Sequence, residues 1–204
     1  MNNEKHGKQP TIKMEALHPK LIVGIGGSAG ALIAYKALLD ALPSNTGMSF
    51  VIISHMSPAA HSYLAEILSR HTKMVVTVAS EAMQIQADHV YVIPSDADLL
   101  IKNYIFKVIS PRSRRNKQID VFFTSLAEAM GARAIGIVLS GYDGDGTEGC
   151  KHIKENGGKT FAQDMSAEVD FMPLSAQDAG CIDFVMPLDK IPAKLKHLAD
   201  TLKI

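Results

Sequence analysis

The feature that most constrains this chain is a series of short segments that are apolar on both faces, each followed by a segment with helical spacing. Leu21 to Ile25 and Ala134 to Leu139 are continuous apolar runs, and Ser49 to Ile53 ends in Val51, Ile52 and Ile53. A strand with two apolar faces must be covered on both, and a parallel sheet flanked by helices supplies that cover. Helical patterns fall at Ala31 to Leu42 (stopped by Pro43), Ala59 to Arg70, Ile119 to Met130, Gly146 to Asn156 (stopped by Gly157-Gly158), Pro173 to Ala179 and Ile191 to Leu202. Further strands are predicted at Met74 to Val78, His89 to Ile93, Lys159 to Ala162 and Ile182 to Val185. Asp98 to Ile101 and Ile105 to Ile109, joined at Lys102-Asn103-Tyr104, read as a hairpin. The expected fold is one doubly wound α/β domain over residues 20–204. Its sheet is mostly parallel, with helices on both faces and an antiparallel hairpin at one edge. Residues 1–19 are polar and read as a flexible tail.

Length and charge narrow the function. A chain of 204 residues has room for one sizeable core. Lysine plus arginine equals aspartate plus glutamate, 21 each, so nothing in the balance calls for nucleic acid. The local exception is Arg112, Arg114 and Arg115, which read as a solvated loop or as a means of steering an acidic partner. Cys150 and Cys181 lie in apolar surroundings and read as buried free thiols of a reducing compartment. No apolar run approaches the ~18 residues that span a bilayer. The first twenty residues lack the apolar core of a secretory signal. A cytoplasmic location without membrane insertion is expected.

The first strand ends in Gly24-Ile25-Gly26-Gly27-Ser28-Ala29-Gly30, where two motifs overlap. Gly24, Gly26 and Ala29 match the dinucleotide fingerprint G-x-G-x-x-G/A. Gly26, Ser28 and Gly30 match G-x-S-x-G, the sharp turn that exposes a serine hydroxyl. A nicotinamide site should place an acid at the end of the second strand. Here that strand ends Ile53-Ser54-His55-Met56, and His55 is a side chain suited to accept and return a proton. In a parallel sheet these two strand ends lie side by side at the carboxyl edge. Taken alone, Ser28 could cap the following helix, and His55 could be a structural histidine.

After Ala134 to Leu139 comes Ser140-Gly141-Tyr142-Asp143-Gly144-Asp145-Gly146-Thr147, also at a carboxyl strand end. Its two aspartates are candidates to orient an imidazole. A calcium loop starting at Asp143 fails, because its sixth and twelfth positions hold Glu148 and Lys154 instead of glycine and glutamate. A simple helix cap by Asp145 is the competing structural reading.

Together these residues resemble the catalytic domain of the chemotaxis-receptor glutamate methylesterases, the CheB type, over about Leu21 to Leu198. The likeness also rests on His89-Val90-Tyr91-Val92-Ile93-Pro94, Val138-Leu139-Ser140-Gly141 and Met172-Pro173-Leu174-Ser175-Ala176. It implies Ser28 as nucleophile, His55 as general base and acid, and Asp145 as the orienting carboxylate. Backbone amides at Ala29 and Tyr142 are expected to hold the oxyanion. No metal or organic cofactor is implied. The implied substrates are glutamate methyl esters on the cytoplasmic helices of chemoreceptors, with deamidation of receptor glutamines as a second activity.

Three positions depart from the family pattern: Ala29 where a hydroxyl residue is common, Tyr142 where methionine is frequent, and Phe171 where glycine is common. The chain looks closest to the branch fused to receptor methyltransferase and sensor modules. No phosphate-accepting receiver domain fits before Leu21, so phosphorylation-based control within the chain is not expected. The alternatives are a non-catalytic nucleotide-binding module using Gly24 to Gly30 and an inactive receptor-binding domain.

Overall fold

A computed structural model describes residues 18–55 and 63–201. Seven parallel strands form the central sheet: β1 (Ile22–Gly27), β2 (Ser49–Ser54), β3 (Val75–Val78), β4 (His89–Val92), β7 (Ala134–Val138), β8 (Lys159–Gln163) and β9 (Phe184–Met186). Their spatial order is β3-β4-β2-β1-β7-β8-β9. From β1 the chain passes through β2 to the edge strand β3 and inserts β4 between those two, then crosses back past β1 to lay β7, β8 and β9 outward on the other side. The resulting crevice, where connections leave in opposite directions, is the usual ligand site of such sheets.

Side-chain alternation along the strands sorts two cores. Leu21, Val23 and Ile25 point to the face covered by α1 (Ala31–Ala41) and α6 (Ile191–Thr201), where they meet Leu38, Leu39 and Leu195. Ile22, Val51 and Ile53 point to the opposite face. There α3 (Gln118–Met130), α4 (Thr147–Glu155) and α5 (Phe171–Asp178) supply Ile119, Phe122, Phe123, Ile153 and Met172. Each fully buried large side chain is worth roughly 1.5–3 kcal/mol against exposure. The runs that were apolar on both faces are therefore the strands that hold the sheet between its helices.

Local sequence sets the element ends. Leu42, immediately before Pro43, is extended (φ −81°, ψ 132°), as steric clash with a following proline favours. The hairpin is present as β5 (Asp98–Lys102) and β6 (Ile105–Ile109), but it forms its own two-stranded sheet. It extends neither edge of the main sheet; Leu99, Ile101 and Phe106 bury against the α3 core instead. The second predicted helix is described from Leu64: α2 (Leu64–Leu68) passes into a 3-10 turn over Ser69–His71. Residues 59–62 of that prediction, Met56, residues 1–17 of the tail and Leu202 lie outside the described residues.

Candidate active site

The turn after β1 is built by close packing. A Cβ on Gly26 would lie 2.5 Å from Cγ2 of Ile119, and one on Gly24 would lie 2.7 Å from the Phe123 ring. These glycines let α3 approach the strand, so the positions that a dinucleotide reading would reserve for pyrophosphate are covered by side chains. Gly30 has φ +74°, a backbone conformation natural to glycine, and starts α1 without a side-chain cap. Ser28 is therefore not a capping hydroxyl. Its N–H donates to the Ser140 carbonyl at 2.9 Å, tying the turn to the end of β7.

Strand register sets Ser28 and His55 at neighbouring strand ends, with no hydrogen bond to the imidazole Nδ1 among the described residues. Gly27 and Ser54 are paired partners on adjacent parallel strands, and Ser28 and His55 each follow by one residue. Neighbouring strands lie roughly 4.8 Å apart. Beneath them, the buried Tyr35 of α1 donates to the Ile53 carbonyl at 3.4 Å, and its hydroxyl fills the space beside Gly27. Burial pushes the Tyr35 hydroxyl far above the ordinary phenol range, against a weaker opposing hydrogen bond with Ser54, so it stays neutral.

Asp145 stands on the other side of the imidazole. His55 Nε2 lies 2.7 Å from Asp145 Oδ2, with the His55 side chain 8% exposed and that of Asp145 fully buried. Asp145 also accepts from the backbone N–H of Ile119 at 3.0 Å (Oδ2), and from Asp120 and Gly146, both at 2.9 Å (Oδ1). It thus caps α3, whose N-terminus favours a negative charge. Burial alone would raise its pKa. The His55 hydrogen bond and the two α3 amides outweigh burial and hold the carboxyl below the usual aspartate value. An ionised carboxylate only accepts hydrogen bonds, so Nε2 carries a hydrogen, and in the neutral ring Nδ1 holds the lone pair.

The capping is reciprocal. Asp120, in the first turn of α3, accepts from Gly146 N–H at 2.8 Å and Gly149 N–H at 3.0 Å, at the start of α4. Its other oxygen pairs with Lys117 Nζ at 2.9 Å. The Lys117 pKa is raised first by that bond, then by the charges of Asp120, Asp145 and Asp143.

Sequence reasoning missed Asp120, Lys117, Tyr35 and the buried Ser140. Ser140 Oγ donates to the Ala29 carbonyl at 2.7 Å and accepts from Val169 N–H at 3.0 Å. It clamps the serine turn to the loop before α5. A hint was available, since Ser140 falls inside one of the motifs that carried the resemblance. Ala29 is half-buried, Tyr142 is 72% exposed and Phe171 is 56% exposed. Gly141 pairs through its backbone with Val169 and Met172, which ties the loop carrying Tyr142 to the start of α5. Arg112 lies 3.5 Å from Asp96, while Arg114 and Arg115 are exposed. Cys150 and Cys181 are buried free thiols. Among the described residues no cluster of potential metal ligands occurs, and no helix is long and apolar enough to cross a membrane.

Comparison with known proteins matches this chain to a family. A family model described as CheB methylesterase covers residues 23–195. A Leptospira interrogans protein, named as a protein-glutamate methylesterase/protein-glutamine glutaminase, is 36% identical over 82% of this chain and 89% of its own length. A protein so named from Hydrogenovibrio crunogenus is 33% identical over 87% of this chain. The chain spans about half the length of that relative and of several others, 49% in this case. The crystal structure of the Thermotoga maritima CheB methylesterase catalytic domain superposes with a TM-score of 0.80 at 29% identity. That match covers 87% of this chain and 98% of the other.

Proposed function

The chain belongs to the CheB methylesterase family, and from that premise we propose that it hydrolyses glutamate γ-methyl esters on chemoreceptor helices through Ser28, His55 and Asp145. The observation that supports this reading is the placement of Ser28, His55 and Asp145 beyond the ends of three adjacent strands. Ser28 and His55 each follow a register pair by one residue, and His55 is bonded at 2.7 Å to an ionised, buried carboxylate.

In the proposed reaction, Nδ1 of His55 takes the hydroxyl proton as Ser28 Oγ bonds to the ester carbonyl carbon. The carbonyl electron pair moves onto oxygen, where backbone N–H groups at Ala29 and Tyr142 receive it; one such donor is worth roughly 3–4 kcal/mol in a serine hydrolase. Collapse expels methoxide, which leaves as methanol with the proton from His55. Water, activated by the same nitrogen, then attacks the Ser28 ester and frees the glutamate carboxylate. With a glutamine substrate the leaving group is ammonia, so one site serves both activities. The steps use only these side chains and amides, so no cofactor enters. A reducing cytoplasm fits the two free thiols. Fused or associated methyltransferase and sensor modules are the partners we propose beyond the receptor.

The test is covalent labelling and turnover. Wild-type protein is expected to react with a fluorophosphonate probe at Ser28 and to release methanol from a methyl-esterified receptor fragment. Ser28→Ala is expected to lose both, with turnover falling by roughly 10⁴-fold or more, as when a nucleophile is removed from a triad. Equal methanol release by the variant would reject the assignment.

A further inference from the structure

His55 stands between two carboxylates. Nε2 is committed to Asp145, while Nδ1 lies 3.4 Å from Asp143 Oδ2, an ion-pair distance without a hydrogen bond. Among the described residues Nδ1 is buried and has no hydrogen-bond partner. Asp143 is itself held in place: its Oδ1 accepts from the Asp145 backbone N–H at 3.2 Å, which leaves Oδ2 turned to the imidazole. We propose that Asp143 is a second carboxylate for His55, one that counterbalances the positive charge the ring acquires while it carries the Ser28 proton. The inference rests on the reading of Ser28 as nucleophile and His55 as base.

The physical case is a change of sign. In the resting tautomer, Nδ1 presents a lone pair to a carboxylate oxygen that also presents lone pairs. No hydrogen lies between them, and the 3.4 Å separation fits such a contact. Once Nδ1 has taken the serine proton, the whole ring is cationic, and its contact with the same carboxylate becomes attractive while the new N–H stays directed at the reacting oxygen. An interaction that strengthens as charge develops lowers the barrier more than it tightens substrate binding. Asp143 is 33% exposed, so solvent screens it and its share is smaller than that of buried Asp145.

Lys117 is paired to Asp120 at 2.9 Å. Glu168 packs against Gly30 across the serine turn. Asp143 acts through His55 and is a positioning residue; it needs no contact with substrate.

The experiment measures kcat and KM for methanol release from a methyl-esterified receptor fragment, and for a small chromogenic acyl ester, in the full chain. Asp143→Ala is expected to lower kcat about tenfold on both substrates, equivalent to about 1.4 kcal/mol, with KM unchanged. Asp143→Asn keeps the shape and is expected to fall as far. Asp143→Glu is expected to recover part of the loss. High salt should narrow the gap between wild type and Asp143→Ala, because a partly exposed pair is screened. Unchanged or raised kcat in a folded Asp143→Ala protein overturns the proposal, a rise meaning that Asp143 competes with Ser28 for the ring. A rise in KM alone also overturns it. Failure of the functional reading looks different: wild-type protein would then neither label at Ser28 nor release methanol.

Discussion

The turn that carries Ser28 and the loop that carries Asp145 lie at neighbouring strand ends, yet they are made in opposite ways. The serine turn works by subtraction. Gly24 and Gly26 have no side chains because Phe123 and Ile119 occupy that space, and Gly30 takes a left-handed backbone with no side-chain cap. The aspartate loop works by addition. Asp145 accepts from three backbone amides and an imidazole, and Asp120 returns two bonds across the same junction. An attacking atom has to be reachable, whereas an orienting charge has to be immobile. One sheet edge meets both needs with different local chemistry.

The sharpest way to break this comparison is Asp145→Asn. It keeps the volume but exchanges an acceptor oxygen for a donor facing His55 or the α3 amides. The expected loss in kcat is roughly 10⁴-fold, the scale seen when a triad aspartate is so changed, and stopped assays of methanol release would measure it. Next in size is Asp120→Ala, which strands the N–H of Gly149 and leaves that of Gly146 only its bond to Asp145. Urea unfolding followed by circular dichroism should show a loss of about 2–3 kcal/mol. On the serine side, Gly26→Ala places a methyl against Ile119 and should cost about 1–3 kcal/mol by the same measurement. If Gly26→Ala proved harmless, the idea of a turn built by close approach would be wrong.

A smaller effect comes from acid. The Asp145 pKa is depressed in the folded state. Its contribution to stability is therefore complete above the ordinary aspartate value of about 3.9 and is lost as pH falls through the lowered value. Wild-type Tm should drop more steeply than that of Asp145→Asn across this acidic window. Smallest is the effect of an exposed side chain: Tyr142→Ala is expected to raise KM for a receptor fragment a few-fold while leaving hydrolysis of a small acyl ester unchanged. An equal loss on both substrates would place Tyr142 in the chemistry.

Legibility in the sequence followed the range of the interactions. β1, β2 and β7 could be read because burial on both faces writes itself into consecutive residues such as Val51-Ile52-Ile53. The hairpin could be read from its turn at Asn103 and Tyr104, but not its position, because Leu99 and Phe106 pack on a helix that begins several residues later. Ser28, His55 and Asp145 stood out because each follows an apolar run at a strand end. Asp120 did not, since an acid in the first turn of a helix is ordinary for that helix's own dipole. Its bonds to a second helix exist only because Gly149 lets α4 lie against α3, where a Cβ would be 2.4 Å from Phe123 Cβ. Nor could spacing alone say which imidazole nitrogen meets Asp143 and which meets Asp145.

The mutual caps between α3 and α4 make Asp145 a structural fastener as well as a chemical group. Separating the two helices would strip the imidazole of its orienting charge at the same moment as it exposes the amides of both helix starts. A locally opened molecule is then silent rather than sluggish, and turnover becomes a running gauge of whether that junction is closed. Amide hydrogen exchange at Gly146 and Gly149 and loss of esterase activity should therefore rise together under mild denaturant, as two readings of one event.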